Sequence, residues 1–89
     1  MPKYDYPGGG YVVIEGAADM PMQAFADLYE AIGTAAGTVK RVVKESTLQD
    51  WDGQPVDMAT LANISPRQLN WLRDQVSAAV KEEQIDPEA

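Results

Sequence analysis

The chain of 89 residues contains neither cysteine nor histidine. Without cysteine it has no disulfide framework and no thiolate nucleophile, a composition that fits a reducing compartment. Histidine is the usual general base near neutral pH, and both residue types are the usual ligands of soft metals. The sequence therefore lacks the residue pairs that activate nucleophiles, and we expect no catalytic residues, no cofactor and no enzyme activity.

Basic residues are also scarce. Seven lysines and arginines stand against 14 aspartates and glutamates, which gives a net charge of −7. The imbalance is greater in residues 46–89, which carry three basic and eight acidic side chains. Such a surface repels nucleic-acid phosphates and anionic membranes, so we expect neither as a partner. It would suit a basic protein partner, or it serves solubility alone.

Long apolar runs are missing as well. No stretch approaches the ~18 apolar residues of a membrane-spanning helix, and the first residues form no basic and apolar leader, so we expect neither a membrane span nor a signal peptide. The apolar content of 45% is that of a globular chain. A chain of this length forms one domain with a small core, whose stability can depend on a partner or on self-association into a homo-oligomer.

The first 15 residues have the pattern of two strands. Lys3–Tyr6 alternates polar and aromatic residues, and Tyr11–Glu15 continues with β-branched residues. The Pro-Gly-Gly-Gly segment between them predicts a hairpin, or else one strand preceded by a flexible arm. These glycines are not followed by the Lys-Ser/Thr pair of a phosphate-binding loop, so we interpret them as a turn. A lone hairpin is unstable in water and must pack against helices.

Two helices are predicted in the next part of the chain. The first runs from about Met20 to Ile32 and is ended by Gly33. Its apolar stripe consists of Met22, Phe25, Leu28, Tyr29 and Ile32. The second runs from about Ala35 to Ser46, but its β-branched residues are also typical of a strand, so both structures stay open for residues 38–45.

A loop with glycine and proline follows from Leu48 to Val56. After the loop, Asp57–Asn63 predicts a short helix capped by Asp57.

The strongest local signal is a helix start near residue 65. Ser65 can cap the helix, Pro66 suits the first helical position, and Gln68 can complete a capping box. Ile64 and Leu69 stand where a hydrophobic staple would close. We therefore predict a helix over residues 66–83, with this apolar stripe: Leu69, Leu72, Val76 and Val80, flanked by Trp71 and Ala79.

Together these elements predict a mainly α (α+β) fold, with a small N-terminal β-hairpin or strand followed by three to four packed helices. The predicted organisation is an N-terminal arm over residues 1–16, a helical domain over residues 17–83 and an acidic tail over residues 84–89. All three parts belong to one domain.

Three aspartates surround the central loop: Asp50, Asp52 and Asp57. A calcium loop needs acidic ligands at its first and twelfth positions and glycine at its sixth. Placing Gly53 at the sixth position puts Leu48 at the first and Ala59 at the twelfth. We therefore interpret the aspartates as turn and cap residues, and we expect no metal site.

The candidate partner-binding residues are aromatic: Trp51, Trp71 and Tyr11. Trp51 lies in a loop, where a tryptophan is either an exposed anchor for a partner or, more often, a lid over a small core. Trp71 lies one position off the apolar stripe of its helix, which places it at a boundary. The N-terminal tyrosines would offer a stacking surface for single strands, but only Lys3 lies nearby and the net charge opposes this use.

Three basic residues lie close together in the second predicted helix: Lys40, Arg41 and Lys44. They either pair with the acidic second half of the chain or form a local contact patch.

The order of these features resembles that of the small tail assembly chaperones of long-tailed bacteriophages that infect actinobacteria. Those proteins open with a Gly-aromatic-Val segment, here Gly10–Ile14, followed by an acidic connector and a helix, here from Ala18 onward. A valine-rich helix then leads to a tryptophan-bearing loop with Gly-x-Pro, here Val39–Val43 and Trp51–Val56. A short helix and a closing helix end the pattern, here Leu61–Val80, so the likeness covers about residues 10–80.

The resemblance implies a non-enzymatic role in the cytoplasm of the host cell. Such chaperones coat the long, aggregation-prone tape measure protein, recruit tail tube subunits and are absent from the finished virion. A longer form made by ribosomal frameshifting is common in the family, and this chain would be the short form.

Two other functions stay open. One is a virion component, such as a capsid accessory protein or a head–tail adaptor, whose N-terminal arm adds a strand to a neighbour. The other is an acidic inhibitor that mimics DNA and occupies a basic groove of a host protein. That role needs carboxylates in rows on one face, whereas this sequence spreads them over loops, caps and tail.

Overall fold

The computed structural model describes residues 2–84 of the chain. Three strands form one antiparallel sheet in the order β1-β2-β3: β1 (Lys3–Asp5), β2 (Tyr11–Ile14) and β3 (Val43–Ser46). The α-helices of this part are α1 (Met22–Asp27), α2 (Ile32–Val42) and α3 (Pro66–Gln84). A 3-10 turn, Ala17–Asp19, joins β2 to α1. The fold is thus mixed α/β, and its third strand lies mostly in the segment for which the sequence leaves helix and strand open. Of the predicted acidic tail, residues 85–89 lie outside the described part.

The two N-terminal strands form a hairpin, which is one of the two structures that the sequence predicts for them. Tyr4 pairs with Val12, and both lie on the face of the sheet that packs against the core. The turn is closed by the amide of Tyr6, which donates to the carbonyl of Gly10 at 2.9 Å, and by the amide of Gly9, which donates to the carbonyl of Tyr6 at 2.9 Å. Because side chains alternate along a strand, the outer face carries Lys3, Tyr11, Val13 and Glu45.

The first predicted helix, over residues 20–32, is wrong in length because tertiary hydrogen bonds interrupt it. The guanidinium Nε of Arg73 donates to the carbonyl oxygen of Leu28 at 2.6 Å. The hydroxyl of Thr34 donates to the carbonyl of Asp27 at 2.9 Å and accepts from the amide of Ala31 at 3.2 Å. These bonds satisfy the backbone at the end of α1 and at the start of α2, so the chain turns between them.

The apolar stripe predicted for that helix is mostly outside the core. Leu28 is fully buried, but Met22, Tyr29 and Ile32 are exposed by 79%, 50% and 46%. Gly33 does not end a helix, because it lies in the first turn of α2. The apolar residues of this segment recur at helical spacing, but they do not form a buried face.

The second predicted helix, over Ala35–Ser46, divides into α2 and β3. Its first half is helical to Val42, and residues 43–46 pair with β2. Val12 faces Ser46 and Val13 faces Glu45 across the two strands. The long-range pairing therefore decides the ambiguity of residues 38–45 in favour of a helix followed by a strand.

Residues 57–63 form a run of turns instead of the predicted short helix. The carboxylate of Asp57 accepts hydrogen bonds from the amide of Ala59 at 2.9 Å and from the hydroxyl of Thr60 at 2.7 Å. Such local bonds compete with helix formation. Leu61 adopts a φ of 56°, in the left-handed region, while its side chain is fully buried.

Helix α3 begins where the sequence predicts. The hydroxyl oxygen of Ser65 accepts from the amide of Gln68 at 3.1 Å, and the Gln68 side-chain oxygen accepts from the amide of Ser65 at 3.0 Å. This reciprocal pair is a capping box. At the other end, the carboxylate of Glu83 accepts from the amides of Ala17 and Ala18, both at 3.1 Å. Both ends of α3 are therefore tied to other parts of the chain.

One core lies between the inner face of the sheet, α2 and α3. Leu72 and Val76 are fully buried, as predicted, whereas Leu69 is only half-buried against the core. The fully buried larger side chains are Val12, Ile14, Leu28, Val39, Leu48, Leu61, Leu72 and Val76.

Candidate functional site

The loop that carries Trp51 is a small closed structure anchored in the core at both ends. Leu48 and Val56 flank it and are buried, and the amide of Val56 donates to the carbonyl of Leu48 at 3.0 Å. Inside this pair, Gln49 and Pro55 form an isolated antiparallel bridge. The chain therefore leaves the core and returns to it within nine residues, as a hairpin does.

The carboxylate of Asp50 holds the inside of the loop. It accepts hydrogen bonds from the amides of Asp52 and Gln54 at 2.9 and 2.8 Å, and from the side-chain amide of Asn63 at 2.8 Å. Donors around a carboxylate favour its charged form. The Asn63 side chain first, and then the Gln54 amide, accordingly hold the pKa of Asp50 below its ordinary value of 3.8.

The loop is also joined to the start of α3. The side-chain nitrogen of Gln68 donates to the carbonyl oxygen of Gln49 at 2.7 Å, and the Gln68 side chain is 7% exposed. Because the same glutamine belongs to the capping box, the orientation of the loop is fixed relative to the axis of α3.

Trp51 stands at the tip of this loop with its side chain 95% exposed. It is therefore not a lid over the core. The Asp-Trp-Asp-Gly segment is a turn signature, with aspartate at the first position and glycine at the fourth, and the amide of Gly53 donates to the carbonyl of Asp50 at 3.1 Å. That signature places the tryptophan at the tip of a turn, and it is the sequence signal that favours exposure.

Trp71 has a different environment. It is half-buried against the core, and its ring meets the ring of Tyr6 edge to face, with the centroids 5.0 Å apart and the planes at 70°. Aromatic pairs of this geometry stabilise a fold beyond the area that they bury. A shallow cavity of about 260 Å³ lies beside the pair, lined by Arg67 and by the turn residues Pro7 and Gly8. Trp71 thus fastens the hairpin to α3.

Tyr11 lies on the outer face of the sheet, away from the side on which α3 packs. The ammonium group of Lys3 is 4.5 Å from the centre of the Tyr11 ring, in a cation–π arrangement. The Glu45 carboxylate raises the pKa of the Tyr11 hydroxyl, first because it accepts a hydrogen bond from that hydroxyl and then because its negative charge disfavours the phenolate. The three predicted partner-binding residues are therefore not brought together, and Trp51 alone of the three is almost fully exposed.

Two of the three aspartates around the loop, Asp50 and Asp57, accept hydrogen bonds within the protein through their carboxylates. The Thr60 hydroxyl and the Ala59 amide lower the pKa of Asp57, as the Asn63 amide does for Asp50. Within residues 2–84, no three carboxylates stand close enough to hold a metal ion.

Comparisons with protein-family models, with curated proteins and with solved structures found no match to this chain. In the described part of the chain, each helix is too short or too polar to cross a membrane.

Proposed function

We propose that the protein binds another protein without catalysing a reaction, and that Trp51 is the anchor that the partner covers. The observation that carries the proposal is the combination of exposure and rigidity at this residue. Its side chain is 95% exposed, while the loop beneath it is held by the hydrogen bonds of Asp50 and Gln68. Because the backbone beneath it is already ordered, binding restricts only the rotamers of the tryptophan side chain.

Tryptophan is among the residues that most often dominate the energy of a protein interface. Truncation of such an anchor typically costs about 2 kcal/mol or more, which is roughly a thirtyfold loss of affinity. Asp52 directly follows the anchor in the chain, whereas the Asp50 carboxylate is hydrogen-bonded on the inside of the loop. The surface that receives the anchor is therefore an apolar pocket with a basic group at its rim, because such a group would complement the Asp52 carboxylate.

The partner that we assign is the tape measure protein of a long-tailed phage. The assignment rests on the resemblance in the order of sequence features, and it makes the protein a tail assembly chaperone. A long apolar helical protein offers many sites for a tryptophan anchor, and a chaperone with a net charge of −7 would keep the complex in solution.

The test is co-expression with the tape measure protein from the same genome. We expect the wild type to keep that protein in the soluble fraction and to co-purify with it, and Trp51→Ala to fail at both while staying folded by circular dichroism. Ile32→Ala is the matched control, because it truncates another exposed apolar side chain on a different part of the surface. It should behave as the wild type does.

Two results would contradict the proposal. If Trp51→Ala solubilises and co-purifies as the wild type does, then Trp51 is not the anchor. If the wild type does not solubilise the tape measure protein and is found in stoichiometric amounts in mature particles, then the protein is a virion component.

A further inference from the structure

A groove of about 480 Å³ lies between the segment that leads into α1 and the end of α2. Its apolar lining is formed by Met20, Pro21, Ala24 and Val42. The hydroxyl of Thr38 donates to the carbonyl oxygen of Ala24 at 3.2 Å and so joins the two sides. The groove is thus a fixed feature of the fold, and no residue of the Trp51 loop lines it.

The two walls of the groove carry opposite charges. Glu15 and Asp19 lie on the wall formed by the end of β2 and the 3-10 turn, and Arg41 and Lys44 lie on the wall formed by α2 and β3. The Lys44 ammonium also donates to the carbonyl of Arg41 at 2.7 Å, which holds the two basic residues side by side. Two copies related by a twofold axis can therefore place the acidic wall of each copy against the basic wall of the other.

An exposed apolar side chain stands next to this groove. Met22 directly follows Pro21, begins α1 and is 79% exposed. Methionine is flexible and fills irregular apolar spaces well. The surface therefore offers both a groove with an apolar floor and an apolar side chain beside it.

We propose that two copies of this chain associate about a twofold axis through this groove. Met22 of each copy enters the groove of the other, and the basic wall of each copy meets the acidic wall of its partner. Such a dimer pairs Arg41 with Asp19 twice, once in each direction. The Trp51 loop takes no part in this contact, so the dimer does not depend on the proposed function.

The experiment measures association of the full chain by analytical ultracentrifugation and light scattering, from micromolar to millimolar concentration. We expect a monomer–dimer equilibrium for the wild type that weakens as salt is added, because salt screens the charged rim. Arg41→Glu alone and Asp19→Arg alone should each raise the dissociation constant about tenfold or more, since each places like charges together.

A mixture of the two variants should restore association. In the mixed dimer, Glu at position 41 meets Arg at position 19, and Arg41 of the second chain meets Asp19 of the first. Lys40→Glu is the matched control, because it makes the same change of charge at an exposed position outside the groove. It should associate as the wild type does. Lys44→Glu replaces Arg41→Glu if the latter fails to fold by circular dichroism.

Three outcomes would overturn the proposal. One is a wild type that stays monomeric at every concentration. The second is a charge-reversed variant that associates as strongly as Lys40→Glu does. The third is a mixture of Arg41→Glu and Asp19→Arg that stays monomeric. Trp51→Ala should leave the dimer intact, which separates this proposal from the one that concerns the anchor.

Discussion

The side-chain nitrogen of Gln68 donates a 2.7 Å hydrogen bond to the backbone carbonyl of Gln49, a residue 19 positions earlier in the chain. The oxygen of the same side chain accepts from the amide of Ser65 at 3.0 Å. One glutamine thus both starts α3 and fixes the loop that presents Trp51. A change that removes both polar atoms of the Gln68 side chain therefore affects the helix cap and the loop together, whereas the loss of the Ser65 hydroxyl affects the cap alone.

The first prediction separates these two roles. Ser65→Ala removes the cap acceptor and should lower the free energy of unfolding by roughly 1 kcal/mol, while Ser65→Asp keeps an acceptor and should preserve stability. Gln68→Glu keeps an oxygen for the Ser65 amide but has no donor for the Gln49 carbonyl. It should lose about 1 kcal/mol, because the hydrogen bond that joins α3 to the loop is lost. Urea denaturation measures all three, and equal losses in Ser65→Ala and Ser65→Asp would contradict the capping role.

The second prediction concerns the core. Leu72 is fully buried on α3, and Leu72→Ala should lower the free energy of unfolding by about 2–5 kcal/mol, because it leaves a cavity. Leu69→Ala is the comparison, since Leu69 lies on the same helix but is only half-buried. It should cost clearly less. A loss below about 0.5 kcal/mol for Leu72→Ala would place that side chain at the surface.

The start of α3 was predictable because its signal is local. The residues that cap the helix lie within four positions of one another and need no other part of the chain. The hairpin was predictable for the same reason, since a Pro-Gly-Gly-Gly turn joins two strands that are neighbours in sequence.

The elements that were predicted wrongly depend on distant partners. The first helix ends at Asp27. Arg73, more than 40 positions away, donates a hydrogen bond to the carbonyl of the next residue, Leu28. The second helix ends at Val42 because residues 43–46 pair with β2, about 30 positions earlier in the chain. The β-branched residues of this segment are compatible with either a helix or a strand. The anchoring of the Trp51 loop also depends on distant residues, because Asn63 and Gln68 hold it, whereas the local turn places Trp51 at its tip.

The third prediction concerns the glycines of the hairpin turn. Gly9 and Gly10 have positive φ angles of 108° and 89°, which side chains rarely adopt. A Cβ at Gly10 would also lie 3.0 Å from the carbonyl oxygen of Thr47, whereas one at Gly9 would meet no atom within 4 Å. Gly10→Ala should therefore destabilise the protein more than Gly9→Ala does, by about 1 kcal/mol or more. Thermal unfolding of the two variants is the measurement, and equal losses would contradict the close approach to Thr47.

The fourth prediction concerns alkaline pH. Burial first, and then a 2.8 Å hydrogen bond to Glu82, raise the pKa of the Tyr4 hydroxyl from 10.0 to about 12. Because the folded pKa lies above the unfolded one, the contribution of neutral Tyr4 to stability is complete below pH 10 and is lost as the pH rises toward 12. Tyr4→Phe has no hydroxyl and therefore lacks this titrating group.

Ultraviolet titration of tyrosine ionisation is the measurement for Tyr4. The difference between the wild-type curve and the Tyr4→Phe curve should show one group that titrates late, near pH 12. Tyr6→Phe is the control, and it should keep that late group. A difference curve centred at pH 10 would show that the Tyr4 hydroxyl is exposed to solvent, and would contradict its burial and its hydrogen bond to Glu82.

The contact between Tyr4 and Glu82 joins two residues 78 positions apart in the chain. Glu83 likewise binds the amides of the 3-10 turn, which lies 65 and 66 positions earlier in the chain. Contacts of such long range form only after the intervening chain is available. During synthesis on the ribosome, the contacts of α3 with the hairpin and with the 3-10 turn therefore cannot form until α3 has emerged. Until then, the apolar side chains that α3 covers stay exposed in the nascent chain, and such exposed surface favours aggregation.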